Sequence, residues 1–403
     1  MNLDLDDKIT YSVANEMGAA FSVLKQTGGL YVNIDTVLNS DIWMQKHVSF
    51  QAGFNGNSSF GFLVMSECYN EPETFWTNVR ARPQVSCPSS DMFTGTEICC
   101  AIPDEIFPVD IMFLNTRFGS LARDLLYGSP NMPVPNTSFP PIPRIVHYIL
   151  FDAFEINYSR FLSFLSTQRF VKPDKIFIFV NSWKRPSSPY FDKILNYSNV
   201  EVVYYGPLKT VYQNRIKSSA HVSDIVRADV LLRYGGIYLD WDVYWLKPVD
   251  DLLSKGYETI ASLDFMKDMY PRQRFPDTVN MGVVLARPMS RFIKLWQESF
   301  KEYTGNHDTY HAVEIVYKLY EQHPELLVIE KRLQVMCFLF KCHPLWLDNY
   351  KDQHAHSPFD FTKDAYTVHF THLTPEEWES EELILQSKPG FFQDMGRHIL
   401  GKS

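Results

Sequence analysis

The chain has 403 residues, room for two or three domains, and 45% hydrophobic with 15% aromatic residues, enough to bury a large core instead of staying disordered. Its net charge is -9 and no basic run occurs, which argues against a nucleic-acid binder. The acidic balance does not exclude a phosphate ligand, because a metal ion can supply positive charge locally.

The six cysteines, Cys68, Cys87, Cys99, Cys100, Cys337 and Cys342, include no paired zinc-ligand spacing. Their even number permits disulfides without demonstrating them. Apolar runs such as Ile176–Val180 fall far short of the roughly 20 residues a membrane span needs. The acidic start Met-Asn-Leu-Asp-Leu-Asp-Asp lacks the layout of a signal peptide. Sequons at Asn57, Asn136, Asn157 and Asn196 weigh slightly towards a secretory location.

In chain order, the first informative run is Gly28-Gly29-Leu30-Tyr31-Val32-Asn33-Ile34-Asp35. It returns as Gly235-Gly236-Ile237-Tyr238-Leu239-Asp240-Trp241-Asp242, in a register that holds from Leu24 against Leu231 to Val37 against Tyr244. Phe60-Gly61-Phe62-Leu63-Val64 with Phe75-Trp76 likewise echoes Met281-Gly282-Val283-Val284-Leu285 with Leu295-Trp296. This repeat predicts that residues 1–128 are the back half of a domain similar to the one that follows, its front half absent. Ser129–Pro141 contains five prolines and predicts a stiff linker over 129–141.

Beyond the linker, strands and helices alternate. Strands are expected at Arg144–Phe151, Lys175–Asn181, Val200–Tyr205 and Ile237–Leu239. Helices are expected at Tyr158–Gln168, Phe191–Leu195 and His221–Arg233. The alternation predicts an α/β domain over 142–403, an open and mostly parallel sheet with helices on both faces.

A bare Asp-x-Asp is weak, and Asp4-Leu5-Asp6 reads as a solvated terminus. Asp240-Trp241-Asp242 gains weight from its setting. Ser223 is a candidate N-cap, with Asp224 in the first turn and Arg227 on the same helical face. Gly235 and Gly236 end the helix, and a short strand carries Asp240 to its C-terminal end, where ligands bind in open α/β sheets. Residues two apart on extended chain face the same way, so both carboxylates can meet one hard cation that also holds a diphosphate.

Ser223-Asp224-x-x-Arg227 followed by Tyr234-Gly235-Gly236-Ile237-Tyr238-Leu239-Asp240-x-Asp242 resembles the sugar-binding signature of DxD glycosyltransferases. The α-1,4-galactosyl- and α-1,4-N-acetylglucosaminyltransferases, the initiating α-mannosyltransferases and capsular-sugar enzymes are the nearest in pattern. Ile142-Pro143-Arg144-Ile145-Val146-His147-Tyr148 resembles their first strand, Asn280-Met281-Gly282-Val283 their Asn-x-Gly segment, and Val368-His369-Phe370 their late strand.

The resemblance, covering about Ile142 to Leu373, implies a glycosyltransferase-A fold, a nucleotide-sugar donor (UDP-sugar favoured), Mn2+ or Mg2+, and retention of anomeric configuration. It implies metal ligation by Asp242, Asp240 and His369, and catalytic positions at Asp240, Asp242 and Asn280. It places Asp224, Arg227, Tyr148, Gly236 and His369 at the donor. The implied acceptor is a glycan, glycolipid or glycoprotein, and the implied location is the Golgi, although the sequence shows no signal or anchor and its true N-terminus is expected to be missing.

Other readings stay open at this point. Arg227 could simply pair with Asp224, Asn280 could be a turn residue, and His369 competes with His372. Trp241, Tyr244 and Trp245 suit a core better than a sugar platform. An inactive nucleotide-sugar-binding protein is the competing function. A dinucleotide oxidoreductase would need a Gly-x-Gly-x-x-Gly turn after the first strand, which is absent. In the N-terminal copy Asn33, Met17, Ala20 and Ser59 stand where Asp240, Asp224, Arg227 and Asn280 stand later, so only Asp35 survives and that copy is expected to be inactive.

Overall fold

A computed structural model describes residues 126–402 apart from 153–154, 183, 185, 187, 265–277, 306–309, 339 and 344–359. It also describes 108–113, 115, 120, 123–124 and backbone strands at 29–32, 50–55, 60–65 and 99–100. The chain divides into two compact units, Met1–Pro133 and Val134–Ser403.

The second unit is built on a seven-stranded sheet. Its strands are β1 (Ile145–Leu150), β2 (Lys175–Val180), β3 (Val200–Tyr204), β4 (Gly236–Leu239), β6 (Thr259–Asp264), β7 (Thr278–Ala286) and β8 (Val328–Ile329), in the order β8-β6-β7-β4-β1-β2-β3. Pairings β4-β1, β1-β2, β2-β3 and β6-β8 are parallel, and only β7 runs against its neighbours. The expected strands match these elements to within a residue at most ends. All nine residues of β7 are buried, so this strand is the spine of the core.

Alternation along β1 places helices on both faces. Tyr148 points to α1 (Tyr158–Phe170), where its hydroxyl meets Thr167 Oγ1 at 2.7 Å. His147 points to the other face and hydrogen-bonds the Gly235 carbonyl at 2.6 Å, at the end of α3 (Ser219–Tyr234). Between them in sequence, α2 spans Pro189–Leu195. Burial holds the His147 ring down to about 4, so it is neutral and donates from Nε2.

A second sheet joins the site. It has the order β5-β11-β9-β10, with β5 at Val243–Trp245, β9 at Gln334–Phe338, β10 at Lys341–His343 and β11 at Thr367–Thr371. Strand β5 follows Asp242 directly and is docked on α1 by three serines. Ser163 donates to the Val243 carbonyl at 2.5 Å, Ser166 accepts from Trp245 N–H at 2.9 Å, and Ser159 meets the Tyr244 hydroxyl at 2.8 Å. A Cys337–Cys342 disulfide ties β9 to β10.

One expected boundary is corrected. Helix α3 begins at Ser219, and Ser218 is its N-cap, accepting from His221 N–H at 3.3 Å. Ser223 and Asp224 therefore lie in the second turn, and Asp224 owes its place to Arg227 and not to a cap. Among the described residues no helix is long and apolar enough to cross a membrane.

The first unit has a four-stranded sheet in the order Gly29–Val32, Phe60–Met65, Phe50–Asn55, Cys99–Cys100. The first two pairings are antiparallel and the last parallel, as in β4-β7-β6-β8. Gly29 faces Met65 and Val32 faces Phe62, just as Gly236 faces Ala286 and Leu239 faces Val283. Met17, Ala20, Asn33, Asp35 and Ser59 lie outside the described residues.

Gly236 has φ +97°, and a Cβ there would lie 2.2 Å from the Ile145 carbonyl oxygen. The β4-β1 pairing beside the motif needs glycine here. Gly236→Ala is expected to cost more than about 3 kcal/mol, read from the urea midpoint, because backbone strain and overlap add.

Candidate active site

Strand β4 delivers Asp240 to a cleft of about 570 Å3 at the C-terminal edge of the parallel strands. Asp240, Asp242 and His369 converge there, each with one ligand atom within 4.8 Å of the others. His369 Nε2 is 3.1 Å from Asp242 Oδ1 and 4.0 Å from Asp240 Oδ2. Strand pairing sets this, since Val243 faces His369 across β5-β11 and Phe370 N–H donates to the Asp242 carbonyl at 3.0 Å. Gln334 Oε1 meets His369 Nδ1 at 3.1 Å; with Nδ1 as the donor, Nε2 faces the carboxylates.

Arg227 is buried at the centre of the charge network. Its guanidinium lies 3.2 Å from Asp240 Oδ1 and 3.3 Å from Asp224 Oδ1, donates to the Met281 carbonyl at 2.6 Å, and stacks 4.0 Å over the Tyr238 ring. The Tyr238 hydroxyl also donates to Asp240 Oδ1. Burial pushes Asp224 up to about 6 against the pull of Arg227.

Asp264, at the end of β6, was not expected from the sequence. It is 6% exposed and accepts from Asn280 Nδ2 at 3.0 Å through Oδ2, and Oδ1 has no partner among the described residues. Burial pushes it up to about 6, partly offset by Asn280 and then His369. A lone Asp after an apolar strand reads as a turn residue, and only the pairing of β6 with β7 shows its partner. Asn280 also accepts from Gly282 N–H at 2.6 Å, so its amide is tied to the site's own framework.

Asp224, Arg227, Asp240, Asp242, Asn280 and His369 thus share one cleft, and His372 lines it too. Two expected donor residues do not. Tyr148 is fully buried between Thr167 and Trp241, whose ring is 4.3 Å away, because its strand position faces the helix layer. Gly236 packs on Ile145 and shapes the strand without reaching the cleft. Tyr244 and Trp245 are core residues. The segment 266–276 lies outside the described residues.

Four carboxylates line the cleft against one guanidinium and the histidines. Burial alone would push Asp242 up, yet His369 holds it below the usual carboxylate range. Burial alone would lower His369, yet Asp242, Asp240 and Asp264 hold it above its usual value. The donor set, two carboxylate oxygens and one imidazole, fits a divalent ion such as Mn2+ or Mg2+.

Residues 162–258 match the family model described as a glycosyltransferase sugar-binding region containing a DXD motif. This stretch is a DXD glycosyltransferase region. Over 258 residues the chain is 27% identical to glucan organizing enzyme 1 of Cryptococcus neoformans var. grubii serotype A, covering 61% of this chain and 65% of that protein. The chain thus spans 65% of the length of this curated relative. Among solved structures it is similar to the apo-form glycosyltransferase GlyE of Streptococcus pneumoniae TIGR4, at 13% identity and TM-score 0.37, covering 64% of this chain and 60% of that one. It is also similar to the galactosyltransferase LgtC solved with donor and acceptor sugar analogs, at 12% identity and TM-score 0.34, covering 62% and 95%. The sheet that leads into the DXD segment is mostly parallel, with helices on both faces.

Two outcomes test the glycosyltransferase site. A Cβ on Gly282 would lie 2.6 Å from the His369 ring and 2.7 Å from both Asp240 Oδ2 and Asn280 Oδ1. Gly282→Ala is expected to lower Mn2+ affinity by at least about tenfold by calorimetry, while circular dichroism stays native. Asp264 carries a folded-state value raised above its ordinary one, so its contribution to stability is complete below about pH 4 and is lost as pH rises through about 6. Asp264→Asn is therefore expected to raise the Tm of the metal-free protein at pH 8, with the gain vanishing by pH 4.

Proposed function

We propose that the second unit is a retaining glycosyltransferase that moves a hexose or N-acetylhexosamine from a nucleotide-sugar, a UDP-sugar by preference, to a carbohydrate acceptor. The observation that carries this reading is the convergence of Asp240, Asp242 and His369 in one cleft with the buried Asp264. A divalent metal held by those three residues would offset the charge that builds on the departing diphosphate.

The chain's own groups do the positioning. Arg227 and Tyr238 occupy Asp240 Oδ1, which leaves Oδ2 facing His369 and Asp242. Gln334 orients His369. Asp264 Oδ1 is placed to accept a hydroxyl of the transferred sugar, and Asn280 holds that carboxylate in line. In the reaction the bond from the sugar C1 to the diphosphate oxygen breaks and one from C1 to the acceptor oxygen forms. The acceptor's proton passes to the departing diphosphate.

The relative named as a glucan organizing enzyme makes gluco-oligosaccharides a first choice among acceptors. An oxidising secretory compartment such as the Golgi accords with the Cys337–Cys342 disulfide and with exposed sequon asparagines at Asn136, Asn157 and Asn196. The first unit we read as an inactive partial copy, since the Asp/Arg face and one carboxylate of the pair are replaced.

A screen of radiolabelled nucleotide-sugars with and without Mn2+ tests the function. Manganese-dependent transfer or hydrolysis is expected, with Asp242→Ala lowering it by at least about 100-fold. Donor binding with no turnover would instead identify a binding protein, and unchanged turnover in Asp242→Ala would refute the metal assignment.

A further inference from the structure

The fold holds the sequons of this chain in different ways, and that difference matters if the chain matures in a secretory compartment, the reading above on which this inference rests. We propose that Asn136, in the proline-rich linker, is a modification site that carries an N-linked glycan, and that folding closes Asn157, at the start of α1, to the same modification.

Asn136-Thr137-Ser138 lies between Pro135 and Pro140, and all three of its residues are exposed. Prolines on both sides lack the N–H that a helix interior or an inner strand requires, which keeps the segment out of regular structure. The turn it forms is local. Asn136 Oδ1 accepts from Ser138 N–H at 2.8 Å and from the Ser138 hydroxyl at 2.6 Å. Such an Asx turn uses contacts only two residues apart, so it can form in a nascent chain and persist in the folded one. Just beyond it, Phe139 N–H donates to the Gly256 carbonyl at 3.2 Å, and the Arg287 guanidinium stacks 3.9 Å from the Phe139 ring. A Cβ on Gly256 would lie 2.3 Å from the Thr137 carbonyl oxygen, so the backbone of the turn is seated closely while its side chains face solvent.

The other described sequons are built differently. Asn157 is the N-cap of α1, where its side chain accepts from Arg160 N–H at 3.0 Å. Tyr158 and Ser159 are buried, and the Ser159 hydroxyl meets the Tyr244 hydroxyl at 2.8 Å. The hydroxyl that defines this sequon is thus engaged in docking β5 on α1. Asn196 is exposed at the C-cap of α2, but Tyr197 sits edge-on to Phe164 with ring centroids 5.0 Å apart, so its turn takes shape only with the core. Asn57 lies outside the described residues.

The co-substrate is an oligosaccharide carried on a polyprenyl diphosphate. A bond forms between Asn136 Nδ2 and C1 of the first sugar, and the bond from C1 to the diphosphate oxygen breaks. The lipid diphosphate leaves with that electron pair, and the proton lost from Nδ2 passes to solvent. A bulky, hydrated substituent suits an exposed turn.

Site occupancy in the full chain, purified from its native cells, tests this. Enzymatic deglycosylation in heavy-oxygen water converts each glycosylated asparagine to a labelled aspartate, which peptide mass spectrometry counts. Asn136 is expected to be labelled, and more often than Asn157. Asn136→Gln should remove one glycan's shift in gel mobility, while Ser138→Thr, which keeps the hydroxyl of the turn, should retain it. No label at Asn136 in chain that sealed vesicles protect from protease would overturn the site and leave the compartment standing. No label in chain that protease digests outside the vesicles would overturn the compartment and the site with it. Label at Asn157 equal to or above that at Asn136 would overturn the selection by folding.

Discussion

The site depends on one buried guanidinium. Arg227 joins α3 to the ends of β4 and β7 through Asp224, Asp240 and the Met281 carbonyl, with Tyr238 beneath it. Its charge makes the burial of Asp224 and the fixed pose of Asp240 tolerable, since an unpaired charge in that position would cost several kcal/mol. The pairing also divides the oxygens of Asp240. One is consumed inside the protein, and the other is left at the cleft, within 4.0 Å of His369. A carboxylate free to rotate would lose that division, and with it the geometry of the metal triad.

Two glycines set the distances over which this electrostatics acts. Gly236 lets β4 lie close to β1, and Gly282 lets β7 pass beneath the carboxylates, His369 and Asn280 without a side chain. Asp240 N–H donates to the Gly282 carbonyl at 2.9 Å, so the backbone of the motif is hydrogen-bonded to the residue that keeps the floor clear. The result is a cleft richer in negative than in fixed positive charge, an imbalance that a divalent cation would relieve.

What could be read from the chain beforehand follows from how local each signal is. The Asp240-x-Asp242 pair, the Asp224/Arg227 face and the double glycine lie within one helix, turn and strand, so spacing alone placed them together. The alternation of β-branched strands with helices likewise predicted the mostly parallel sheet that contains β1, β2 and β4. Asp264 and Gln334 escaped because their roles come from partners distant in sequence, Asn280 across a strand pair and His369 across a second sheet. The serines of α1 carry no signal of their own in the sequence, and the docked β5 shows why they are buried. Tyr148 was misplaced because a resemblance identifies a strand but not which face a side chain takes. The helix start was misread since Ser218 and Ser223 are both serines suited to capping, and only the geometry shows Ser218 accepting from His221 N–H.

The same electrostatic coupling accounts for how the N-terminal copy differs. Its backbone repeats the strand order, directions and register of β4-β7-β6-β8. At the positions of Asp224, Arg227 and Asp240 the sequence has Met17, Ala20 and Asn33, and all three charges are gone together. In a domain built like the second unit that is the change expected of a buried network, because removing the arginine alone would strand two carboxylates, and removing the carboxylates alone would strand the arginine. The replacements leave one apolar residue, one small residue and one neutral amide, a combination that carries no unpaired charge. Asp35 matches Asp242, which stands outside the Arg227 network, partly exposed and 3.1 Å from His369.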